Sequence, residues 1–436
     1  MELFEKIIEM ADGLLPEMTA VRRDLHKHAE TGWLEMRTSS IIARKLTDLG
    51  YKVLVGEDVC LREARMGVPE EAVLETQYER AVAQGADPEF VPYTKGGMTG
   101  VIGILECGEG PTVAMRFDID ALGVFEASDE DHRPHREGFA SINTGFMHAC
   151  GHDGHASIGL GVAKILMEIK DSLHGTVKLI FQPAEEGVRG AKAIVEKGHL
   201  DDADFVIGNH ISGRSEKSGD ADLIPGVYSS LATTKLDVAY KGKAAHAGSS
   251  PHLGNNALLA AASAVMNLNA IPRHGAGASR INVGTLHAGS GRNVIADEAK
   301  MELEIRGATT EINEYMTRYA TKILENAANM FGCSCAIKLM GAAEALRSDK
   351  ILADRVAAVA QQISLKPVES AASGGSEDYA YMMNRVQQHG GQAVFFRTLT
   401  DLSGIAHGRY YDFDEKVMPA AVKVFCCTVA DIMGNS

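Results

Sequence analysis

The chain has 436 residues and a formal net charge of −15. That length exceeds one ordinary core, so two or more domains are expected, and the acidic balance argues against nucleic acid or an anionic membrane surface as a partner. No apolar run is long enough to span a membrane. The N-terminus, Met1-Glu2-Leu3-Phe4-Glu5-Lys6, is acidic rather than a secretory signal, and the seven Cys have no regular spacing, which points to a reducing cytoplasm.

Residues 2–15 and 16–50 read as helices, the second stopped by Gly50. His26, His28 and Glu30 fall in a turn region, where such side chains more often orient a loop than react. The stretch 56–95 carries charged residues and a helical pattern from Pro69 to Ala83; it reads as an inserted segment covering an edge or an entrance. Two apolar strands follow, Gly100 to Leu105 and Thr112 to Phe117, as expected for strands buried on both faces. The second ends in Asp118-Ile119-Asp120-Ala121-Leu122, at the carboxyl end of a strand, where open α/β sheets bind ligands. A helix is expected from Ala156 to Ile169, then a strand, Thr176 to Phe181, a helix over 190–197, and a strand, Phe205 to Gly208, that ends in Asn209-His210.

Near residue 230 the pattern changes. Strand Lys235 to Gly242, helix Asn255 to Ala270, strands Arg280 to His287 and Ala299 to Arg306, helix Thr310 to Phe331 and strand Ser334 to Leu339 give the order β-α-β-β-α-β. Helix Ala353 to Ile363 and strand Ala393 to Arg397 resume the first style. The fold class is therefore α/β, a mixed, mostly parallel sheet flanked by helices, with an inserted ferredoxin-like α+β domain. The boundaries are 1–229 and 341–436 for the outer domain and 230–340 for the insertion.

Cys150-Gly151-His152-Asp153-Gly154-His155 packs a thiol, two imidazoles and a carboxylate into six residues. These are the side chains that hold borderline transition metals. By itself the stretch is equally a buried thiol beside a capped helix. Glu185-Glu186, on a turn after a buried strand, adds a pair of carboxylates, of which one can bind metal while the other activates water. His210, and His407 on a late Gly-flanked loop, complete the set. Cys150, His152, one of the two Glu, His210 and His407 are too many donors for one closed tetrahedral site and too few for two. They suit two metals about 3.5–4 Å apart, of which Zn, Mn and Co all match the donors. Asp118, Asp120 and Asp153 are candidates for holding the imidazoles in orientation.

These motifs resemble the dinuclear metallopeptidase superfamily, and the Cys-Gly-His form is similar to its amidohydrolase branch, with the hippurate and auxin-conjugate hydrolases. The resemblance runs over nearly the whole chain, through Gly242-Lys243-Ala244-Ala245-His246-Ala247-Gly248, Gly291-Arg292-Asn293-Val294-Ile295 and Gly375-Ser376-Glu377-Asp378. The segment 56–95, with Arg65-Met66-Gly67-Val68-Pro69, and Asp131-His132-Arg133-Pro134 are similar to aminobenzoyl-glutamate hydrolases of the A-subunit type. Gly123 departs from the family pattern, standing where a Pro usually follows Asp120-Ala121-Leu122.

The resemblance implies a zinc-exopeptidase-like catalytic domain with the insertion as a lid and dimerisation domain. It implies Cys150, His152, Glu186, His210 and His407 as ligands of two divalent ions, Mn2+ or Zn2+. Glu185 would be the general base on a metal-bridging water, His246 would stabilise the oxyanion in a partner subunit's site, and Asn293 and Arg306 would contact the substrate. The expected reaction is cleavage of p-aminobenzoyl-glutamate to p-aminobenzoate and glutamate. The expected partner is a second copy through the lid domain, a related B subunit, or both. The alternatives are hydrolysis of other, hippurate-like N-acyl amino acids, and a non-catalytic subunit that keeps the fold.

Overall fold

The computed structural model describes residues 2–369 and 375–434. They divide into two compact units, an outer one of 2–229, 346–369 and 378–434 and an inserted one of 230–345 and 375–377.

The outer unit begins with α1 (Glu2–Gly13), α2 (Leu15–Lys27), α3 (Met36–Leu49), β1 (Lys52–Val55) and α4 (Glu71–Ala83). It continues with β2 (Val101–Glu106), β3 (Thr112–Asp118), α5 (Arg133–Arg136), α6 (His152–Glu168), β4 (Thr176–Gln182), α7 (Ala191–Val195), β5 (Phe205–Gly213) and β6 (Leu223–Ile224). The inserted unit is β7 (Ala232–Lys241), α8 (Ala257–Asn269), β8 (Ser279–Ala288), β9 (Glu298–Gly307), α9 (Thr310–Met330) and β10 (Ser334–Ala343). The chain then returns to the outer unit with α10 (Lys350–Gln362), α11 (Ala380–Gln388), β11 (Gln392–Thr400), β12 (Leu402–Ser403), β13 (Asp412–Phe413) and α12 (Met418–Met433). No helix among the described residues is long and apolar enough to cross a membrane.

The expected helix over 16–50 is two helices. Trp33 turns at φ 69° and buries its indole, whose Nε1–H donates to the Met66 carbonyl at 2.8 Å. The Glu30 carboxylate then accepts the backbone N–H groups of Arg37 and Thr38 at 3.0 and 2.8 Å. It thereby satisfies donors that the first turn of α3 leaves without partners. The stretch 56–95 holds α4, and Leu74, Ala81 and Val91 form a small core with Leu34 and Met36.

The main sheet runs β1-β2-β4-β3-β5-β11-β6. Its centre, β4-β3-β5-β11, is parallel, and the pairings toward both edges are antiparallel. Alternation along the strands sends Val113, Met115, Phe117, Val177, Leu179 and Phe181 to the core that contains α6 and α12. Ala114, Ile180 and Val206 face the core that contains α7 and α11. Gly159 brings α6 close to the sheet: a Cβ there would lie 2.7 Å from the rings of Phe117 and Phe181.

Strand β5 does not end at His210. Its pairing with β11 continues to Thr400↔Gly213, while its pairing with β3 stops at Arg116↔Gly208. His210 therefore lies where β5 has a neighbour on one side only, beside the end of β3.

The inserted unit is an antiparallel sheet in the order β10-β7-β9-β8. Leu236, Val238, Tyr240, Met301, Leu303 and Ile305 share one core with Ala260, Ala264, Met316, Ala320 and Leu324 of its two helices. Asn256 and Thr309 cap those helices by accepting from the N–H groups of Leu259 and Ile312. The element order is the one the sequence predicts. Strand β10 passes the expected boundary at 340 because its pairing with β7 continues to Ala343↔Thr233.

Candidate metal centre

Helix α6 starts at His152, four residues before the expected start at Ala156. Gly151, at φ 90°, turns the chain into it, and its carbonyl already accepts from Gly154 and His155 at 2.9 and 3.0 Å. The motif thus spans a loop end, Cys150, and a first helical turn, His152 to His155. Gly151 is also packed tightly, since a Cβ there would stand 2.9 Å from the Tyr411 hydroxyl.

The structure brings together the five expected metal donors. Cys150 Sγ lies 3.5 Å from His210 Nε2, and His407 Nε2 lies 3.6 Å from Glu186 Oε1. His152 Nε2 is 3.9 Å from Glu185 Oε2. Cys150, His152 and His210 form one group with donor atoms within 4.8 Å of one another; Cys150, Glu186 and His407 form a second. The thiol belongs to both. Glu185 and Glu186 each place a carboxylate oxygen within 4.8 Å of a His152 nitrogen, and Glu186 also stands by His407.

Hydrogen bonds fix which imidazole nitrogens face the centre. His152 Nδ1–H donates to Asp120 Oδ1 at 3.2 Å, and His210 Nδ1–H donates to the Ile211 carbonyl at 2.5 Å. Each ring therefore turns its Nε2 lone pair inward. His155 is spent differently: Ile211 N–H donates to its Nε2 at 2.9 Å, so its Nδ1–H goes to Asp118. Asp120 also accepts the backbone N–H of Glu185 at 3.1 Å and of Glu186 at 2.9 Å, which ties the glutamate turn to the His152 ring.

A divalent cation fits these residues. His152 Nε2 and Glu186 Oε1 are buried with no hydrogen-bond partner among the described residues. An orphaned lone pair and an orphaned carboxylate oxygen are costly unless a cation meets both. Burial disfavours a charged His152, but the Asp118 charge and the bond to Asp120 outweigh it and raise the ring well above the usual imidazole range. Burial, reinforced by Asp120 and Asp118, pushes Glu186 up to about 7. Burial pushes the Cys150 thiol up to about 12. Burial, and then the neighbouring His155, hold His210 well below the usual imidazole range. A coordinated cation reverses this logic for the carboxylate and the thiol.

Behind the donors lies a layer of buried ion pairs. Arg116 donates to Asp118 at 2.5 Å and to Gln182 at 2.8 Å, and Gln182 donates to Asp378 at 2.8 Å. Asp153 is 2.8 Å from Arg22 and from His26 Nδ1, and His26 Nε2 is 2.9 Å from Glu126. Burial disfavours a charged His26, but its bonds to Asp153 and Glu126 outweigh that and raise its pKa. His26 is therefore a support to the motif from behind. His28 Nδ1–H donates to the Asp24 carbonyl at 2.8 Å and takes no part in the centre.

Glu35 escapes a reading of the sequence. It is buried, accepts Ala184 N–H and Thr99 Oγ1–H at 2.7 Å each, and holds the glutamate turn where Ala184 has φ 51°. Burial, and then the Asp120 charge, push it up to about 8. Arg116 did leave a signal, a lone cation in an apolar strand.

The other expected residues lie in the inserted unit. His246 Nδ1 accepts from Gly248 and Ser249 N–H at 3.1 and 3.0 Å, so its Nε2 carries the proton as a donor. Its loop adjoins that of Asn293, whose carbonyl accepts Ala247 N–H at 3.0 Å. Arg306 lies on β9, and its Nε and Nη2 donate to Glu304 at 2.8 and 3.0 Å.

Residues 114–431 match the family described as Peptidase family M20/M25/M40. The chain is 47% identical over 423 residues to the indole-3-acetyl-aspartic acid hydrolase of Enterobacter agglomerans, covering 95% of each chain. It is 45% identical over 432 residues to the A subunit of the p-aminobenzoyl-glutamate hydrolase of Escherichia coli strain K12, covering 97% of this chain and 98% of that one. Among solved structures, the aminobenzoyl-glutamate utilization protein from Klebsiella pneumoniae matches with a TM-score of 0.83 at 38% identity, over 97% of each chain.

Proposed function

The chain belongs to peptidase family M20/M25/M40, a family of metal-dependent hydrolases, and from that membership we propose that it cleaves p-aminobenzoyl-glutamate to p-aminobenzoate and glutamate. The observation that carries the substrate is the 45% identity, over nearly the full length of both chains, to a hydrolase named for it.

Cys150, His152, Glu186, His210 and His407 would hold two divalent ions, Mn2+ or Zn2+, which supply Lewis acidity to the amide carbonyl and to water when bound. Glu185 is the general base. It takes a proton from the attacking water as that oxygen bonds to the carbonyl carbon. It returns the proton to the nitrogen as the C–N bond breaks, so that glutamate leaves as an amine. Asp120 positions this base through the Glu185 N–H. His246, with its proton on Nε2, would donate to the oxyanion in a partner subunit's site. Asn293 and Arg306 would contact the substrate.

In this scheme 1–229 and 341–436 form the catalytic domain and 230–340 the lid and dimerisation domain. The assembly is a homodimer through the lid domain, a heteromer with a related B subunit, or both. The setting is the cytoplasm, in keeping with seven cysteines that are all free.

A second substrate is favoured by one finding, the 47% identity to a hydrolase named for indole-3-acetyl-aspartic acid. The purified chain, loaded with Mn2+ or Zn2+ and assayed with and without a B subunit, should turn over p-aminobenzoyl-glutamate with a higher kcat/KM than indole-3-acetyl-aspartate or benzoyl-glycine. Cleavage of benzoyl-glycine alone would overturn the proposal.

A further inference from the structure

Along β8, an edge strand of the inserted unit's sheet, a hollow of about 430 Å³ is lined by Arg273, Ser279, Arg280, Ile281, Asn282, Glu304 and Arg306, of which Arg280, Asn282, Glu304 and Arg306 share the face that the helices leave open. Three guanidiniums meet one carboxylate there. Glu304 is already engaged by Arg306 Nε and Nη2, which leaves Arg306 Nη1 outside that pair. Arg273 and Arg280 make no ion pair among the described residues. Strand register places Arg280 on β8 directly opposite Arg306 on β9, with Asn282 opposite Glu304. Like charges directly across a ladder are destabilising, and an anion that bridges them reverses the sign. The planar fork of a guanidinium matches a carboxylate in two parallel bonds.

We propose that this hollow binds a dicarboxylic amino acid, with Arg280 taking the side-chain carboxylate beside the one that Arg306 meets. The excess positive charge calls for two negative charges, which an amino acid with an apolar side chain does not carry. Asn282, opposite Glu304 on the same face as Arg280, adds a neutral donor. The inference rests on the proposed hydrolysis of an N-acyl amino acid and adds the selection of its leaving group. Arg280 is thus a specificity residue. Arg280 is exposed, so its replacement leaves the core of the unit intact.

The test has a binding arm and a kinetic arm on the full-length, metal-loaded chain. By calorimetry, glutarate should bind about tenfold or more tighter than butyrate, as a charge-assisted pair requires. Arg280→Ala should abolish that difference and Arg280→Lys should restore part of it. In turnover, Arg280→Ala should lower the ratio of kcat/KM for p-aminobenzoyl-glutamate over p-aminobenzoyl-glycine about tenfold or more, through KM. Equal binding of glutarate and butyrate, an unchanged ratio, or inorganic phosphate binding as tightly as glutarate would overturn the assignment. If the wild type hydrolyses neither conjugate yet binds glutarate through Arg280, the hydrolase proposal fails and the hollow stands. If it hydrolyses both and Arg280→Ala changes nothing, the reverse holds.

Discussion

Replacing Asp120 by Asn keeps the shape of the side chain and removes half of its acceptors. The carboxylate accepts three bonds, from His152 Nδ1–H at 3.2 Å, Glu185 N–H at 3.1 Å and Glu186 N–H at 2.9 Å. If the amide oxygen stays toward His152 and Glu185, the amide NH2 meets the Glu186 N–H, donor against donor. A hydrogen bond to a charged group contributes about 1.5–3 kcal/mol, and loss of an outer partner of a metal-binding His costs about 10–100-fold in affinity or activity. Asp120→Asn should therefore weaken metal binding about 10–100-fold, read by competition with a chromophoric chelator. At saturating metal kcat should remain depressed, because the turn that carries Glu185 has lost an anchor. Metal affinity and kcat both within twofold of the wild type would refute the idea that Asp120 ties the His152 ring to the glutamate turn.

Glu185→Gln should retain the wild-type metal content and lower kcat by about 10²–10⁴, measured by metal analysis and steady-state turnover; unchanged turnover would remove Glu185 as the base. Glu126 gives a pH prediction. Burial alone would raise its pKa, but bonds from His132 and His26 outweigh it and bring the carboxyl from 4.5 down to about 2. A depressed carboxyl adds stability that is present above its unfolded value and lost as pH falls toward its folded one. The shift corresponds to about 3 kcal/mol, so urea midpoints should drop between pH 4.5 and 2, and Glu126→Gln should flatten that slope. Gly159→Ala would put a Cβ 2.7 Å from the Phe117 and Phe181 rings. It should cost about 1–3 kcal/mol by overpacking, seen as a lower Tm with metal content preserved.

The groups proposed to hold metal and activate water are marked in the chain by their chemical type. A thiol, imidazoles and paired carboxylates at the ends of apolar strands are rare company, so Cys150, His152, Glu185, Glu186, His210 and His407 stand out before any fold is known. The groups that hold them carry no such mark. The start of α6 has no side-chain cap, only Gly151 at φ 90°, so the apolar run beginning at Ala156 gives the wrong start. Strand β5 outlasts its apolar run because β11 keeps pairing with it to Gly213, a fact that resides in another strand. Glu35 reads as one more acid near a helix; its partners, Thr99 and Ala184, lie 64 and 149 residues away. Arg22 finds Asp412 across 390 residues. Each supporting residue is defined by a contact that exists only after folding. Its removal should therefore alter affinity, pH response or stability, whereas removal of the Glu185 carboxylate should leave metal affinity and stability and lower kcat by about 10²–10⁴.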